Sequence, residues 1–128
     1  MPDLIIFRGL PGAGKTTVAT VLVKTVFSAD DYFYDENGEY RFCAEKLAQA
    51  HALCRGRTEE ALALKVSPVG VANTFTTDEE IGEYERLASQ YGYRFHSLVV
   101  ENRHGNESKH GVPEKSRDEM KIRFKLKL

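Results

Sequence analysis

Glycine, lysine and threonine stand near the amino end of the chain at the spacing of a phosphate-binding loop. The pattern G-x-x-x-x-G-K-[ST] is matched at every fixed position by Gly9-Leu10-Pro11-Gly12-Ala13-Gly14-Lys15-Thr16. In such a loop, glycines let backbone N–H groups surround a phosphate, and the following helix N-terminus adds positive potential. We expect Lys15 to reach the β- and γ-phosphates of a nucleoside triphosphate and the Thr16 hydroxyl to ligate Mg²⁺. The residues expected to contact the nucleotide are Gly9, Pro11, Gly12, Ala13, Gly14, Lys15, Thr16 and Thr17.

A pair of carboxylates, Asp30 and Asp31, follows the next apolar segment. The carboxyl ends of parallel strands face the ligand, so a carboxylate there can accept the proton of an attacking hydroxyl. Adjacent side chains cannot both point at one hydroxyl in a regular conformation. We therefore favour Asp30 as the general base and keep Asp31 as the alternative. A purely structural role, in which one of the two caps the following turn, is the competing interpretation.

The strands and helices that would position these residues alternate along the chain. Apolar and β-branched runs predict strands over residues 4–8, 26–28, 69–73 and 93–101. Helical spacing predicts helices over residues 15–25, 44–65 and 78–91, the last between a Thr77 cap and Gly92. Asn37-Gly38 predicts a hairpin within residues 34–40. This alternation implies an α/β fold whose parallel sheet is covered on both faces.

The last part of the chain differs in composition from the rest. Residues 102–111 are polar and predict a loop, Pro113 opens a predicted helix, and residues 122–128 alternate like an edge strand. Residues 1–100 carry 10 basic and 14 acidic side chains, whereas residues 101–128 carry 8 basic and 5 acidic ones. The positive charge of this segment is compatible with binding of a phosphate-rich partner, although charge alone favours a solvated helix face.

Length and composition predict a single globular domain over residues 1–128. Hydrophobic residues make up 41% of the chain and charged residues 29%, as in ordinary globular proteins. The longest apolar run covers residues 4–7 and no basic segment precedes it, so we expect no membrane contact and a cytoplasmic location. Cys43 and Cys54 stand 11 residues apart in one predicted helix, too far apart to form a disulfide.

Several segments together resemble the P-loop polynucleotide kinases. They are the loop from Gly9 to Thr17, Asp30-Asp31-Tyr32-Phe33, Val71-Ala72-Asn73-Thr74 and His110-Gly111-Val112-Pro113. The likeness covers nearly the whole chain. It extends to small AAA-type ATPase and kinase domains of phages and bacteria, and to the kinase domain of a eukaryotic ubiquitin-ligase-binding protein family. The resemblance implies a three-layer P-loop NTPase fold with a parallel sheet and a short lid at about residues 102–113.

The same resemblance implies transfer of the γ-phosphate of ATP to a 5′-hydroxyl of DNA or RNA. The cofactors would be ATP and Mg²⁺, and the partner a single-stranded 5′ end. Lys15 matches the phosphate-loop lysine of these kinases, and Asp30 matches their general base. Arg103, in the loop before His110, is the candidate arginine that braces the transferring phosphate. An exposed arginine without a role is the alternative at position 103. The resemblance leaves protein partners unknown.

Two positions depart from the family's pattern. Ala72 stands where an aspartate commonly holds Mg²⁺ through water, so we expect the metal to depend on Thr16, water and ATP, with Asp30 or Asn73 as further candidates. Replacing Ala72 with aspartate would lower the required Mg²⁺ concentration if the residue faces the metal, and would destabilise the protein if it faces apolar neighbours. Phe33 stands where phage kinases have a substrate-binding arginine, and it either stacks on a base or belongs to the core.

Three functions stay open at this point. The first is a polynucleotide 5′-hydroxyl kinase, and the second is a kinase for a small molecule such as a nucleoside or a sugar. The third, favoured by Ala72, is a module that binds or hydrolyses ATP with little kinase activity. Salt-sensitive acceptor binding would favour the first function, because polynucleotide binding releases counterions.

Overall fold

A parallel sheet lies at the centre of the computed structural model, which describes residues 1–11 and 13–101. Its strands are β1 (Asp3–Arg8), β2 (Thr25–Phe27), β3 (Val69–Asn73) and β4 (Arg94–Val99), in the spatial order β2-β3-β1-β4. The helices between them are α1 (Lys15–Leu22), α2 (Leu47–Ala63) and α3 (Asp78–Tyr91), with 3₁₀ helices at Ala29–Phe33 and Ala44–Lys46. The α/β class predicted from the sequence is confirmed.

Alternating side chains give the sheet two covered faces. The face toward α2 and α3 carries the larger core, to which the sheet contributes Leu4, Ile6, Val69 and Val71. The opposite face carries a smaller cluster made of Phe7, Ala19, Val23 and Ala72, beside α1. Helices therefore lie on both sides of the sheet, and the molecule has the three layers that the sequence predicted.

The bounds of two elements agree with the prediction, and those of the others are shifted. Strand β3 covers the predicted residues 69–73, and helix α3 covers the predicted residues 78–91. The predicted cap of α3 is present, because the Thr77 hydroxyl accepts a hydrogen bond from the Glu80 N–H at 3.3 Å. The first helix was predicted to run to residue 25 but ends at Leu22, because Val23 is extended (φ −134°) and places its side chain in the smaller core. The helix predicted over 44–65 begins instead as a 3₁₀ turn and ends at Ala63.

The bounds of the second strand lie one residue earlier than predicted, and a 3₁₀ helix that the sequence did not predict follows the strand. Strand β2 covers Thr25–Phe27, and Ser28 caps a 3₁₀ helix that carries both carboxylates. Strand β4 begins one residue later than predicted and ends at Val99. The hairpin is confirmed, since Tyr34 and Tyr40 form an antiparallel bridge and Gly38 has a φ of 79°.

The expected absence of a disulfide between the two cysteines agrees with the described part of the chain. Cys43 and Cys54 are both free thiols, and Cys43 precedes the helix instead of beginning it. Within residues 1–11 and 13–101, each helix is too short or too polar to cross a bilayer. A cytoplasmic location stays a prediction from the sequence.

Candidate active site

The phosphate-binding loop joins the end of β1 to the start of α1. Gly14 caps α1 in the left-handed conformation, with a φ of 90°, which glycine adopts without steric cost. The Ala13 N–H donates to the Leu10 carbonyl at 3.0 Å and tightens the turn. Gly12 lies outside the described residues. The strand, loop and helix thus follow one another in the order that a phosphate cradle requires.

Gly9 is buried where the loop passes the end of β4. A Cβ at this position would lie 2.6 Å from the Val100 carbonyl oxygen and 3.1 Å from Cγ of Lys15. The Val100 carbonyl belongs to a backbone segment anchored to β1, since the Val100 N–H donates to the Arg8 carbonyl at 2.7 Å. Only glycine therefore fits at the first position of the loop without displacing β4.

We predict that Gly9→Ala destabilises the protein by about 1–3 kcal/mol and weakens ATP binding, because the new methyl group overlaps a backbone carbonyl. Gly56→Ala is the matched control, since a Cβ at Gly56 meets no heavy atom within 4 Å and alanine favours the helix by about 0.5–1 kcal/mol. Urea unfolding and ATP titration of both variants check the prediction. A Gly9→Ala protein as stable as the wild type would contradict the close approach to Val100.

Lys15 lies at the mouth of the loop, half-buried, with its ammonium group turned back toward the loop. Its Nζ donates a hydrogen bond to the Leu10 carbonyl at 3.2 Å. Burial lowers the pKa of Lys15 to about 8, and the negative charge of Asp30 opposes that fall. Thr16 and Thr17 follow in the first turn of α1 and are exposed. The ammonium group therefore lies against the loop in which the sequence predicts a phosphate ligand.

The two adjacent carboxylates have different partners, and this separates their roles. Asp31 closes a capping box, because its Oδ2 accepts from the Ser28 N–H at 3.2 Å. The Asp30 carboxylate is partly buried, accepts from the Tyr40 hydroxyl at 3.0 Å and interacts electrostatically with Lys15. Asp31 therefore has the structural role that the sequence left open for one of the pair, and Asp30 is the carboxylate whose charge acts on Lys15.

Asn73, at the end of β3, fixes the turn that carries these carboxylates. Its Oδ1 accepts from the Ala29 N–H at 2.9 Å and from the Ser28 hydroxyl at 3.5 Å. Its Nδ2 donates to Sγ of the buried Cys54 at 3.7 Å, and the side chain is 6% exposed. The sequence suggested Asn73 as a possible metal ligand, whereas the structure uses its amide to hold β2 and the 3₁₀ helix against β3.

Ala72 belongs to the apolar cluster beneath α1. It is 2% exposed, and it shares that cluster with Phe7, Ala19 and Val23. A carboxylate at position 72 would be surrounded by hydrocarbon groups. Of the two outcomes expected for Ala72→Asp, the structure therefore favours destabilisation of the protein over a lower Mg²⁺ requirement. Phe33 is likewise 5% exposed and lies in the larger core, so the interpretation in which it stacks on a base is wrong.

We predict that Ala72→Asp destabilises the protein by at least about 1–3 kcal/mol, because the new charge loses its hydration among apolar neighbours. Ala52→Asp is the control, since Ala52 is an exposed residue of α2. Melting curves at several Mg²⁺ concentrations measure the effect. A stable Ala72→Asp protein that needs less Mg²⁺ for activity would show instead that position 72 faces the metal.

Part of the predicted site falls on residues that the structure does not describe. Arg103, the lid at about residues 102–113, the helix from Pro113 and the edge strand over 122–128 all lie outside the described residues. The candidate site built from the described residues therefore consists of the loop around Lys15, the Asp30 carboxylate and the side chains that hold them.

Sequence reasoning missed the roles of Arg8, Tyr40 and the Asn73 amide. Arg8 is fully buried at the end of β1, and its Nε and Nη2 donate to the Phe75 carbonyl at 3.3 and 3.2 Å. The sequence did hint at a buried role for Arg8, because it is a charged residue at the end of an otherwise apolar strand. The indication in the sequence was weaker for Tyr40, because only the folded hairpin brings it next to Asp30, ten residues earlier in the chain.

Comparison with known proteins places most of this chain in one family of sequences. Residues 4–126 match the model of a family described as AAA domain, AAA_33. Human NEDD4-binding protein 2 is 36% identical over 96 residues, which cover 71% of this chain. The matched region covers 5% of that protein's length.

Solved structures with P-loop kinase-like folds superpose on the same region. A chain of the Pnkp1/Rnl/Hen1 RNA repair complex has a TM-score of 0.60 and 18% identity, over 77% of this chain and 33% of that chain. A variant of Mycobacterium tuberculosis APS kinase CysC has a TM-score of 0.56 and 16% identity, over 95% of this chain and 96% of that one. At these identities the likeness shows the fold.

Proposed function

The chain belongs to the AAA domain family whose model matches residues 4–126, and from this premise we propose that it transfers the γ-phosphate of ATP to a 5′-hydroxyl of a polynucleotide. The observation that carries the proposal is the placement of Lys15 and Asp30 beyond the carboxyl ends of β1 and β2, two strands of one parallel sheet. It brings a cation suited to phosphate oxygens and a carboxylate suited to a hydroxyl proton to one edge of the sheet. Phosphoryl transfer needs both groups, whereas simple phosphate binding needs only the first.

The phosphate loop and Asp30 would divide the reaction between them. The backbone N–H groups of the loop and the Lys15 ammonium would hold the β- and γ-phosphates, and the negative charge that develops there would be stabilised without movement of the protein. The Asp30 carboxylate would orient the acceptor hydroxyl and take its proton as the new oxygen–phosphorus bond forms. The leaving oxygen stays on ADP. Arg103 remains our proposal for the arginine that braces the transferring group.

Mg²⁺ fits the donor groups of this site when ATP supplies most of its ligands. Among residues 1–11 and 13–101, no group of three or more His, Cys, Asp or Glu side chains could hold a metal ion. Mg²⁺ commonly keeps several waters and binds through few protein oxygens together with substrate phosphates. The exposed Thr16 hydroxyl would be the protein ligand, and the ion would neutralise phosphate charge.

A single-stranded 5′ end is the acceptor that we propose, and exposed rings in and next to the hairpin that carries Tyr40 support it. Tyr34 and Phe42 are each 46% exposed. Tyr34 contacts the ring of Tyr40 at 5.2 Å between centroids, and Phe42 contacts Phe33 at 5.1 Å. Such rings bind bases with little sequence preference. The fold shared with a chain of an RNA repair complex agrees with this acceptor class.

A small-molecule kinase is the second candidate, because residues 1–100 carry four more acidic than basic side chains (14 against 10). That negative net charge disfavours the binding of a long polyanion such as a polynucleotide. The near-complete overlap with APS kinase, of which another structure holds AMPPNP and APS, supports the same candidate.

An acceptor panel with labelled ATP separates the candidates. We expect label on 5′-hydroxyl oligonucleotides, with KM for the oligonucleotide rising steeply as salt is added. Transfer to nucleosides or sugars with salt-insensitive kinetics would support the small-molecule kinase. ATP binding without transfer to any hydroxyl would support the module that binds or hydrolyses ATP.

A further inference from the structure

We propose that Tyr40 is a positioning residue that holds the Asp30 carboxylate in the orientation needed to receive the acceptor proton. This inference rests on the proposed function, since it assigns Asp30 the role of general base. The hairpin over residues 34–40 then serves the site as a support for that carboxylate, in addition to linking the 3₁₀ helix to α2.

A hydrogen bond from outside the 3₁₀ helix fixes the plane of the Asp30 carboxylate. The Tyr40 hydroxyl donates to Oδ1 of Asp30 at 3.0 Å, across a separation of ten residues. A carboxylate that is anchored through one oxygen cannot rotate about its Cβ–Cγ bond without losing that hydrogen bond. The lone pairs that face an incoming hydroxyl are therefore set before the acceptor arrives, which lowers the cost of reaching a reactive geometry.

Packing in turn fixes the Tyr40 ring. The ring meets Phe33 edge to face at 6.1 Å and Tyr34 at 5.2 Å between centroids. The backbone on both sides is also held, because Tyr34 bridges Tyr40 and the Arg41 N–H donates to the Phe33 carbonyl at 2.8 Å. Phe33 is buried in the larger core, so the position of the Tyr40 hydroxyl is tied to the rigid part of the fold.

Tyr40 acts as a donor throughout the physiological pH range. Burial, followed by the charge of Asp30 and the hydrogen bond to it, raises the pKa of Tyr40 well above its usual value. The hydroxyl therefore keeps its proton and remains a hydrogen-bond donor to the Asp30 carboxylate.

The charged groups around Asp30 and Asp31 belong to elements other than the hairpin that carries Tyr40. Lys15 faces it from α1, and Asp31 is its neighbour in the 3₁₀ helix. Arg57 of α2 acts on Asp31, and Tyr34 lies beside Tyr40 in the hairpin. Tyr40→Phe removes only the hydroxyl and keeps the ring that packs on Phe33. Its effect on Asp30 can therefore be assigned to the lost hydrogen bond.

Tyr40→Phe and Tyr32→Phe form a matched pair for the test. Tyr32 belongs to the 3₁₀ helix, but its hydroxyl donates to Oε1 of Gln49 at 2.9 Å, away from Asp30. Carbon-13 NMR at one fixed pH near neutrality reports the Asp30 carboxyl, with Asp30→Asn identifying its resonance. We expect the Asp30 carboxyl resonance to shift in Tyr40→Phe, which lacks the hydrogen bond, and to stay at the wild-type position in Tyr32→Phe. An unchanged Asp30 resonance in folded Tyr40→Phe protein would overturn the proposal.

Kinetics with a 5′-hydroxyl oligonucleotide give the second readout. In Tyr40→Phe we expect kcat to fall about tenfold with KM for ATP unchanged, because the misplaced carboxylate affects the chemical step and leaves ATP binding intact. The same change in an Asp30→Asn background should have no further effect, because Tyr40 acts through that carboxylate. An additional tenfold loss in that background would contradict the positioning role. A wild-type protein inactive on every oligonucleotide would refute the proposed function, whereas the NMR comparison would still decide whether Tyr40 holds the Asp30 carboxylate.

Discussion

Replacing Lys15 with alanine is expected to reduce ATP-dependent phosphoryl transfer by at least about 10²–10³-fold while the protein stays folded. The Lys15 ammonium contacts only the Leu10 carbonyl among the hydrogen bonds described for it, so its removal leaves both cores intact. Its loss does remove the cation that would stabilise the β- and γ-phosphates. Initial rates with labelled ATP, together with a melting curve, measure the two effects separately.

Lys24→Ala is the control for the lysine charge, because Lys24 is exposed between α1 and β2 and lies outside the phosphate loop. It should keep wild-type activity. If Lys15→Ala unfolds the protein, then Lys15 is a structural residue and its assignment to the phosphates is wrong. Nearly full activity of a folded Lys15→Ala protein would contradict the assignment equally.

Asp30→Asn is expected to lower the rate of transfer by about 10²–10⁴-fold with little change in ATP affinity. The amide keeps the size of the carboxylate and an oxygen that can accept from Tyr40, but it cannot take a proton from the acceptor. ATP binding is preserved because the groups expected to hold the phosphates belong to the loop between β1 and α1, whereas Asp30 belongs to the 3₁₀ helix that follows β2. Single-turnover rates at saturating ATP, with a separate ATP titration, check both parts.

Asp31→Asn provides the matched comparison, since Asp31 accepts the Ser28 N–H and closes the capping box. It should cost stability of up to about 1 kcal/mol through a weakened cap, with a smaller effect on the rate than Asp30→Asn. A larger loss of rate in Asp31→Asn than in Asp30→Asn would show that the catalytic role belongs to the other carboxylate.

The elements with strong local signals could be predicted from the sequence. Helix α3 has a Thr77 cap, an acidic first turn and Gly92 in the left-handed conformation at its end, and these local rules agree with one another. The phosphate loop has a fixed pattern between a strand and a helix. The boundary between α1 and β2 had no such signal, because tertiary packing of Val23 against the sheet decides where the helix ends.

The supporting side chains of the site could not be predicted, because they are brought together by topology. Asn73 reaches Ala29 across a separation of 44 residues, and this depends on the pairing of β2 with β3. The division of roles between Asp30 and Asp31 likewise depends on a 3₁₀ helix that no periodicity indicated. The apolar surroundings of Ala72 depend on the face of β3 that its side chain occupies. A resemblance in sequence does not specify that face, so the burial of Ala72 could not be predicted.

The most direct test of the central claim is single-turnover transfer from γ-labelled ATP to one oligonucleotide prepared with a 5′-hydroxyl or with a 5′-phosphate. The site formed by Lys15 and Asp30 predicts label on the 5′ end of the hydroxyl form only, and its loss in both Lys15→Ala and Asp30→Asn. Release of the label as inorganic phosphate, at the same rate with either oligonucleotide and unaffected by Asp30→Asn, would contradict it.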